Sequence, residues 1–184
     1  MPILAKEPSV YPGNLFTEIA PADADRQWWA VYTKPRQEKS LARDLVQKDI
    51  PFFLPLISRF TLVNGRKKQS YLPLFGSYLF LFGTEEERGS AFATDRIVQT
   101  LDVDARQEMT ADLLNIHRLI EEGAPLAVES RLAPGQRVRV KNGALMGVEG
   151  EIVSRRGEDR LVIAVRFLQQ GVSVVIQDYQ VEPI

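Results

Sequence analysis

Nucleophilic and metal chemistry need side chains that this 184-residue chain barely carries. It holds no cysteine and one histidine, His117. Thiolate nucleophiles, disulfides and zinc–thiolate sites are therefore excluded, and with one histidine neither a metal cluster nor a nucleophile–base pair is convincingly assembled. His117 lies three or four positions from Leu113, Leu114 and Ile120, the spacing of a packing residue on an apolar helical stripe. The run Glu85-Glu86-Glu87 follows Thr84 and reads as the first turn of a capped helix, where the dipole favours carboxylates, rather than as a cation site. Gly143, Gly147 and Gly150 are spaced as turn and bulge residues, with no lysine-tipped phosphate loop after them. The expectation is no enzyme, no cofactor and no metal.

The chemistry the chain does carry is cationic. Its net charge is −1, so it is not a polycation that coats nucleic acid. Yet no acidic residue occurs between Asp49 and Glu85, a window holding Arg59, Arg66, Lys67 and Lys68. The stretch 34–43 adds Lys34, Arg36, Lys39 and Arg43 against Glu38 alone. A local positive field on a near-neutral chain suits guided contact with phosphates, although surface lysines more often form only a solvated face.

These residues need elements to hold them. Tyr71–Phe82, YLPLFGSYLFLF, is apolar and aromatic except at Gly76-Ser77, and predicts a buried central strand beginning near Gly76. Period-2 geometry sends Tyr78, Phe80 and Phe82 to one face and Leu79 and Leu81 to the other, so both faces need cover. QWWAVYTK from Gln27 is a second strand, stopped by Pro35, with Trp28, Ala30 and Tyr32 sharing a face. Residues 36–49 take helical periodicity through Leu41, Leu45 and Val46, and Pro51 ends that helix. After a short strand at 52–56, arms 57–63 and 69–73 flank Asn64-Gly65, a hairpin signal that leaves a basic tip. A strand over 97–103 follows, then a helix capped by Thr110 and closed by Gly123.

Residues 1–25, with four prolines and no periodicity, read as a flexible N-terminal arm. Residues 26–122 form an α+β sandwich ordered β-α-β-β-β-α-β-α, and 123–134 a linker. From 135 to 184 the pattern is all strand: RVRVK, GVEGEIVSR, RLVIAVRF, VSVVIQ and YQVE, a small five-stranded barrel. Parity in RLVIAVRF puts Leu161, Ile163, Val165 and Phe167 inside and turns Leu168 outward. No apolar run reaches membrane-spanning length and no basic leader precedes an apolar core, so a cytoplasmic location is expected. The chain is also expected to be a monomer.

QWWAVYTKPRQEKSLARDL, FLPL and PLFGSYLFLF, in that order, resemble the NGN domain of the NusG transcription factors. PGQRVRVKNGALMGVEGEIV resembles the KOW motif, and the closing QVEP is similar too. The resemblance covers 27–184, departing where the family often has Pro-Gly before the central Tyr and Gly-Pro-Phe in the KOW loop, against Gly76-Ser77 and Gly143-Ala144-Leu145. It implies an NGN α/β sandwich on an antiparallel four-stranded sheet, then an SH3-like KOW barrel. It also implies that Tyr32, Tyr78 and Phe80 grip the clamp helices of RNA polymerase and suppress pausing. Lys34, Arg36, Gln37, Arg66, Lys67 and Lys68 would face non-template DNA, nascent RNA or the polymerase gate loop. The KOW domain would recruit a second partner, such as Rho or a ribosomal protein, and Leu168 would dock on the small-subunit ribosomal protein that doubles as an elongation factor.

YTKPRQEK is more similar to the specialised paralogs, which act as operon-directed antiterminators, than to the housekeeping factor with its Rho-linked termination role. Both remain open, as does a KOW-type ribosomal or RNA-binding translation protein. The last predicts a basic barrel, whereas residues 131–184 hold eight Lys/Arg against six Asp/Glu.

Overall fold

A computed structural model describes residues 7–18, 25–129, 135–155, 157–176 and 179–184. The chain divides into two compact units between Arg106 and Gln107.

The first unit is built on an antiparallel five-stranded sheet ordered β1-β3-β6-β2-β7. Its strands are β1 (Val10–Tyr11), β2 (Gln27–Thr33), β3 (Phe52–Phe53), β6 (Tyr78–Gly83) and β7 (Ile97–Asp102). The centre is the pairing of β2 with β6, which sets Trp28, Ala30 and Tyr32 opposite Phe82, Phe80 and Tyr78. Opposite residues of antiparallel strands share a face, so the sheet has two apolar sides, as strand parity predicts. On one side Trp29, Val31, Leu79 and Leu81 pack with Leu41, Ala42 and Leu45 of α2 (Glu38–Gln47) and Ala91 of α3 (Glu85–Phe92). On the other, Phe53, Phe75 and Phe80 form ring contacts, and Trp28 lies 5.1 Å from Phe82.

The fifth strand comes from residues read as a flexible arm. Residues 7–18 instead lie on the sheet. Val10 and Tyr11 pair with Phe53 and Phe52, Leu54 N–H donates to the Ser9 carbonyl at 2.6 Å, and Tyr11 Oη donates to Asp49 at 2.6 Å. α1 (Leu15–Glu18) buries Leu15 and sets the Phe16 ring edge-on to Phe53 at 5.2 Å. The two-residue β3 leaves an edge that the chain itself fills, which composition alone did not reveal. Residues 1–6 and 19–24 lie outside the described residues.

Local chemistry fixes the ends of the elements. α2 closes through Asp49 at φ 55, with Asp49 N–H bonding Val46 O and Ile50 N–H bonding Leu45 O, so the helix stops before Pro51 acts. Thr84 caps α3 with a capping box to Glu87. β4 (Leu56–Val63) and β5 (Arg66–Pro73) form a hairpin apart from the main sheet. Asn64 and Gly65 turn it with φ 51 and 74, the two positive values a type I′ turn requires.

The second unit joins most of α4 (Arg106–Glu121) to a six-stranded antiparallel sheet. α4 begins at Arg106, so Thr110 lies inside it and is not its cap. Its other end is as expected, with Gly123 at φ 66 and Ala124 N–H bonding Leu119 O. The sheet order is β13-β9-β10-β11-β12-β8, using β8 (Ala127–Glu129), β9 (Gln136–Val140), β10 (Glu149–Arg155), β11 (Glu158–Val165), β12 (Gln170–Val175) and β13 (Val181–Pro183). The sixth strand, β8, falls within the expected linker 123–134, of which 130–134 lie outside the described residues. Its Glu129 accepts from Ser173 Oγ at 2.7 Å in a buried contact. Among the described residues β13 and β8 do not pair, so the ladder is an open one rather than the five-stranded barrel expected.

Candidate interaction surfaces

Three aromatic residues were candidates for one exposed patch, and the fold separates them. Tyr32 and Tyr78 stand directly opposite each other on β2 and β6, half-buried, with ring centroids 5.3 Å apart. Phe80 is wholly buried, edge-on to Phe75 at 6.2 Å and stacked on Phe53 at 6.4 Å. As an exposed contact Phe80 is therefore corrected to core. Alternation gives the face but not the depth, and β3 with Phe75 covers the strand centre.

The tyrosine pair sits on a turn that sequence reading left without a mechanism. Ser77 adopts φ 63, its N–H donates to Glu38 Oε1 at 2.7 Å, and its carbonyl accepts from Thr33 N–H at 2.8 Å. Glu38 is itself buried, at 6% exposure. A carboxylate taken out of water at the first turn of α2 finds a backbone donor and fixes the residue before Tyr78. The signal was available, since Glu38 is the lone acid in the cluster 34–43.

The first basic group is partly engaged in contacts within the unit. Lys34 Nζ lies 2.8 Å from Asp95 and holds that carboxyl below the usual carboxylate range. Gln37 accepts from Arg96 Nη1 at 2.6 Å, while Arg96 Nε donates to Asp44 at 2.5 Å. Arg36 is exposed and left-handed at φ 62. Of this trio, Arg36 alone has no hydrogen bond or ion pair among the described residues.

The hairpin is different. Arg59, Arg66, Lys67 and Lys68 are all exposed, and none enters an ion pair among the described residues. Pairing sets Arg59 opposite Ser70, Thr61 opposite Lys68 and Val63 opposite Arg66. The alternate pairs are Phe60 with Gln69 and Leu62 with Lys67. Arg59, Lys68 and Arg66 therefore share one face, while Lys67 stands on the other with Phe60 and Leu62, which are 62% and 74% exposed. The sequence places all four in one acid-free window, and only strand register separates Lys67 from the other three.

In the second unit β11 ends at Val165, and Arg166–Leu168 form a 3-10 turn followed by Gln169 at φ 52. Alternation cannot be carried through such a turn, so the parity that put Phe167 inside and Leu168 outside fails beyond Val165. Leu168 is half-buried, and the side chain of Phe167 lies outside what the structure describes. Gly143 has φ 76 with Tyr179 against it, where a Cβ would lie 2.9 Å from the ring. Gly147 also takes a positive φ, but Gly150 lies in β10, where a Cβ would meet Val162 O at 2.5 Å. That is a close strand approach, not a bulge.

A cavity of about 260 Å³ lies between α4 and β9–β11. Asp112 on its wall accepts from Arg166 Nη1 at 2.7 Å and from Arg166 N–H at 3.3 Å. Burial pushes the Asp112 carboxyl up to about 6, opposed by the Arg166 charge and its backbone hydrogen bond. His117 Nε2 lies 3.4 Å from Glu121 Oε1 on the same helix. Among the described residues no cluster of His, Asp or Glu is placed to hold a metal, and no helix is long and apolar enough to cross a membrane.

A family model, NusG, described as transcription termination factor nusG, matches residues 26–128. The chain belongs to the NusG family. The NusG match takes in the tyrosine pair, the basic stretch 34–43 and the hairpin, and leaves residues 7–18 and the strands from 135 onward outside it. Among curated proteins, none matches the chain. NusG membership places this chain in a family of transcription elongation and termination factors.

Proposed function

We propose that this NusG-family chain is an elongation factor that binds RNA polymerase through an NGN domain of residues 26–122 and suppresses pausing as an antiterminator. The family match over 26–128 carries the reading. The half-buried Tyr32–Tyr78 pair supports it, because two amphipathic rings held 5.3 Å apart on a rigid sheet form a low-entropy anchor for a protein partner. Arg36 and the hairpin cations would approach nucleic acid inside the assembled complex. Net charge of −1 opposes strong binding to free nucleic acid.

The strand-rich region from 135 to 184 is proposed as a KOW domain that recruits a second partner through Leu168. The resemblance at 134–153 and Gly143 under Tyr179 support that assignment. The specialised paralog is favoured over the housekeeping factor by YTKPRQEK. Transcription by purified polymerase through a pause and a terminator tests the reading. Added chain should raise read-through, and Tyr78→Ala should remove the effect. Enhanced termination in the presence of Rho, with no read-through, would favour the housekeeping reading instead.

A further inference from the structure

The hairpin stands apart from the main sheet, and among the described residues no acid pairs with its cations. Its arms run eight residues each, about 26 Å of ribbon. Arg66, Lys68 and the Arg59–Ser70 pair follow one another along a single face, about 7 Å per step. Like charges so placed repel, and no acid between residues 49 and 85 relieves them. The side opposite carries Phe60 and Leu62, which gain nothing from phosphates.

We propose that the Arg59–Lys68–Arg66 face of the hairpin lies along the sugar–phosphate backbone of a nucleic-acid duplex, with Phe60, Leu62 and Lys67 turned away. The major groove of B-DNA admits a two-stranded ribbon, and such ribbons twist strongly enough to follow it. The basic row steps by about 7 Å, of the order of the spacing between successive phosphates along one strand, so each cation meets its own. Thr61, Ser70 and Val63 fill the rest of that face, and nothing on it is arranged for bidentate readout of a base. The contact is therefore independent of sequence. This deepens the proposed nucleic-acid contact and rests on it, but it needs no polymerase to be tested.

The test is fluorescence anisotropy of the full chain with a random duplex of about 20 base pairs, from roughly 30 to 150 mM salt. Binding should be weak and seen at the low-salt end. Arg59→Gln with Arg66→Gln and Lys68→Gln should flatten the slope of log K against log salt by about 2.7, whereas Lys67→Gln should change it by less than about 0.5. All four positions are exposed, so circular dichroism should match wild type. An equal effect of Lys67→Gln and Lys68→Gln would overturn the assignment of faces. So would a single strand that binds better than the duplex and depends on Phe60, which would point to base stacking on the opposite side. Absence of binding at low salt would also overturn it. If polymerase binding persists in any of these cases, the failure belongs to the hairpin and not to the family function.

Discussion

Two aromatic positions two residues apart on β6 separate what holds the first unit together from what it can offer a partner. Phe80 is wholly enclosed, so Phe80→Ala should cost about 3–5 kcal/mol, a large share of a domain's total. Tyr78→Ala removes a half-buried ring at the end of the same strand and should leave most of the stability in place. Urea titrations of the two variants check this, and equal losses would mean that Tyr78 is core as well. A second residue-scale prediction concerns Asp112. Its folded carboxyl, at about 6, lies above the ordinary 3.8. The folded state therefore keeps a proton that the unfolded chain releases between those values. The stability linked to that proton is full below 3.8 and is lost as pH rises towards 6, with an upper bound on the order of 3 kcal/mol. Asp112→Asn should flatten the melting temperature of the second unit between pH 4 and 6 while losing little at pH 8. An unchanged slope would show that other groups set the pH dependence. Neither depth was legible in the sequence. Period-2 alternation assigned Phe80 to the same face as Tyr78 and could not tell the middle of a covered strand from its end.

Elements were more legible than residues where local chemistry ends them. Thr84 with Glu87, Asn64-Gly65 and Gly123 each act through one or two residues, and each is found in its expected role. Thr110 was misplaced because α4 reaches back to Arg106, just after Asp104, whose type and whose spacing from Gln107 are those of a helix start. The segment 7–18 was missed for another reason. A two-residue strand and a four-residue helix are too short to show periodicity, and they are held by partners far along the chain. Phe16 stacks on Trp28 at 6.2 Å and meets Phe53 edge-on, so this strap works as part of the core. Phe16→Ala should lower the stability of the first unit by about 1–3 kcal/mol. Thermal melts would show it, and a neutral Phe16→Ala would restore the picture of a loose arm. The sixth strand was hidden likewise, since AVE is three residues and its buried Glu129 reads as polar linker until Ser173 is placed beside it.

At the scale of the whole molecule, the sequence yields the order of elements, an α/β portion before a strand-rich one, and a NusG family match across more than half the length. It yields less about surfaces, because exposure depends on which neighbours fold over a strand. The near-zero net charge conceals a hairpin with a basic side and an apolar side, and only strand register sorts them. The central claim is that the Tyr32–Tyr78 pair joins this chain to RNA polymerase. The most direct measurement is the affinity of the full chain for purified core polymerase, by biolayer interferometry, for wild type and for Tyr32→Ala with Tyr78→Ala. The account predicts saturable binding by wild type and a loss of about 30-fold or more in the double variant, with the melting curve of the first unit close to wild type. Equal affinity of the two proteins, or no binding by either, would contradict it.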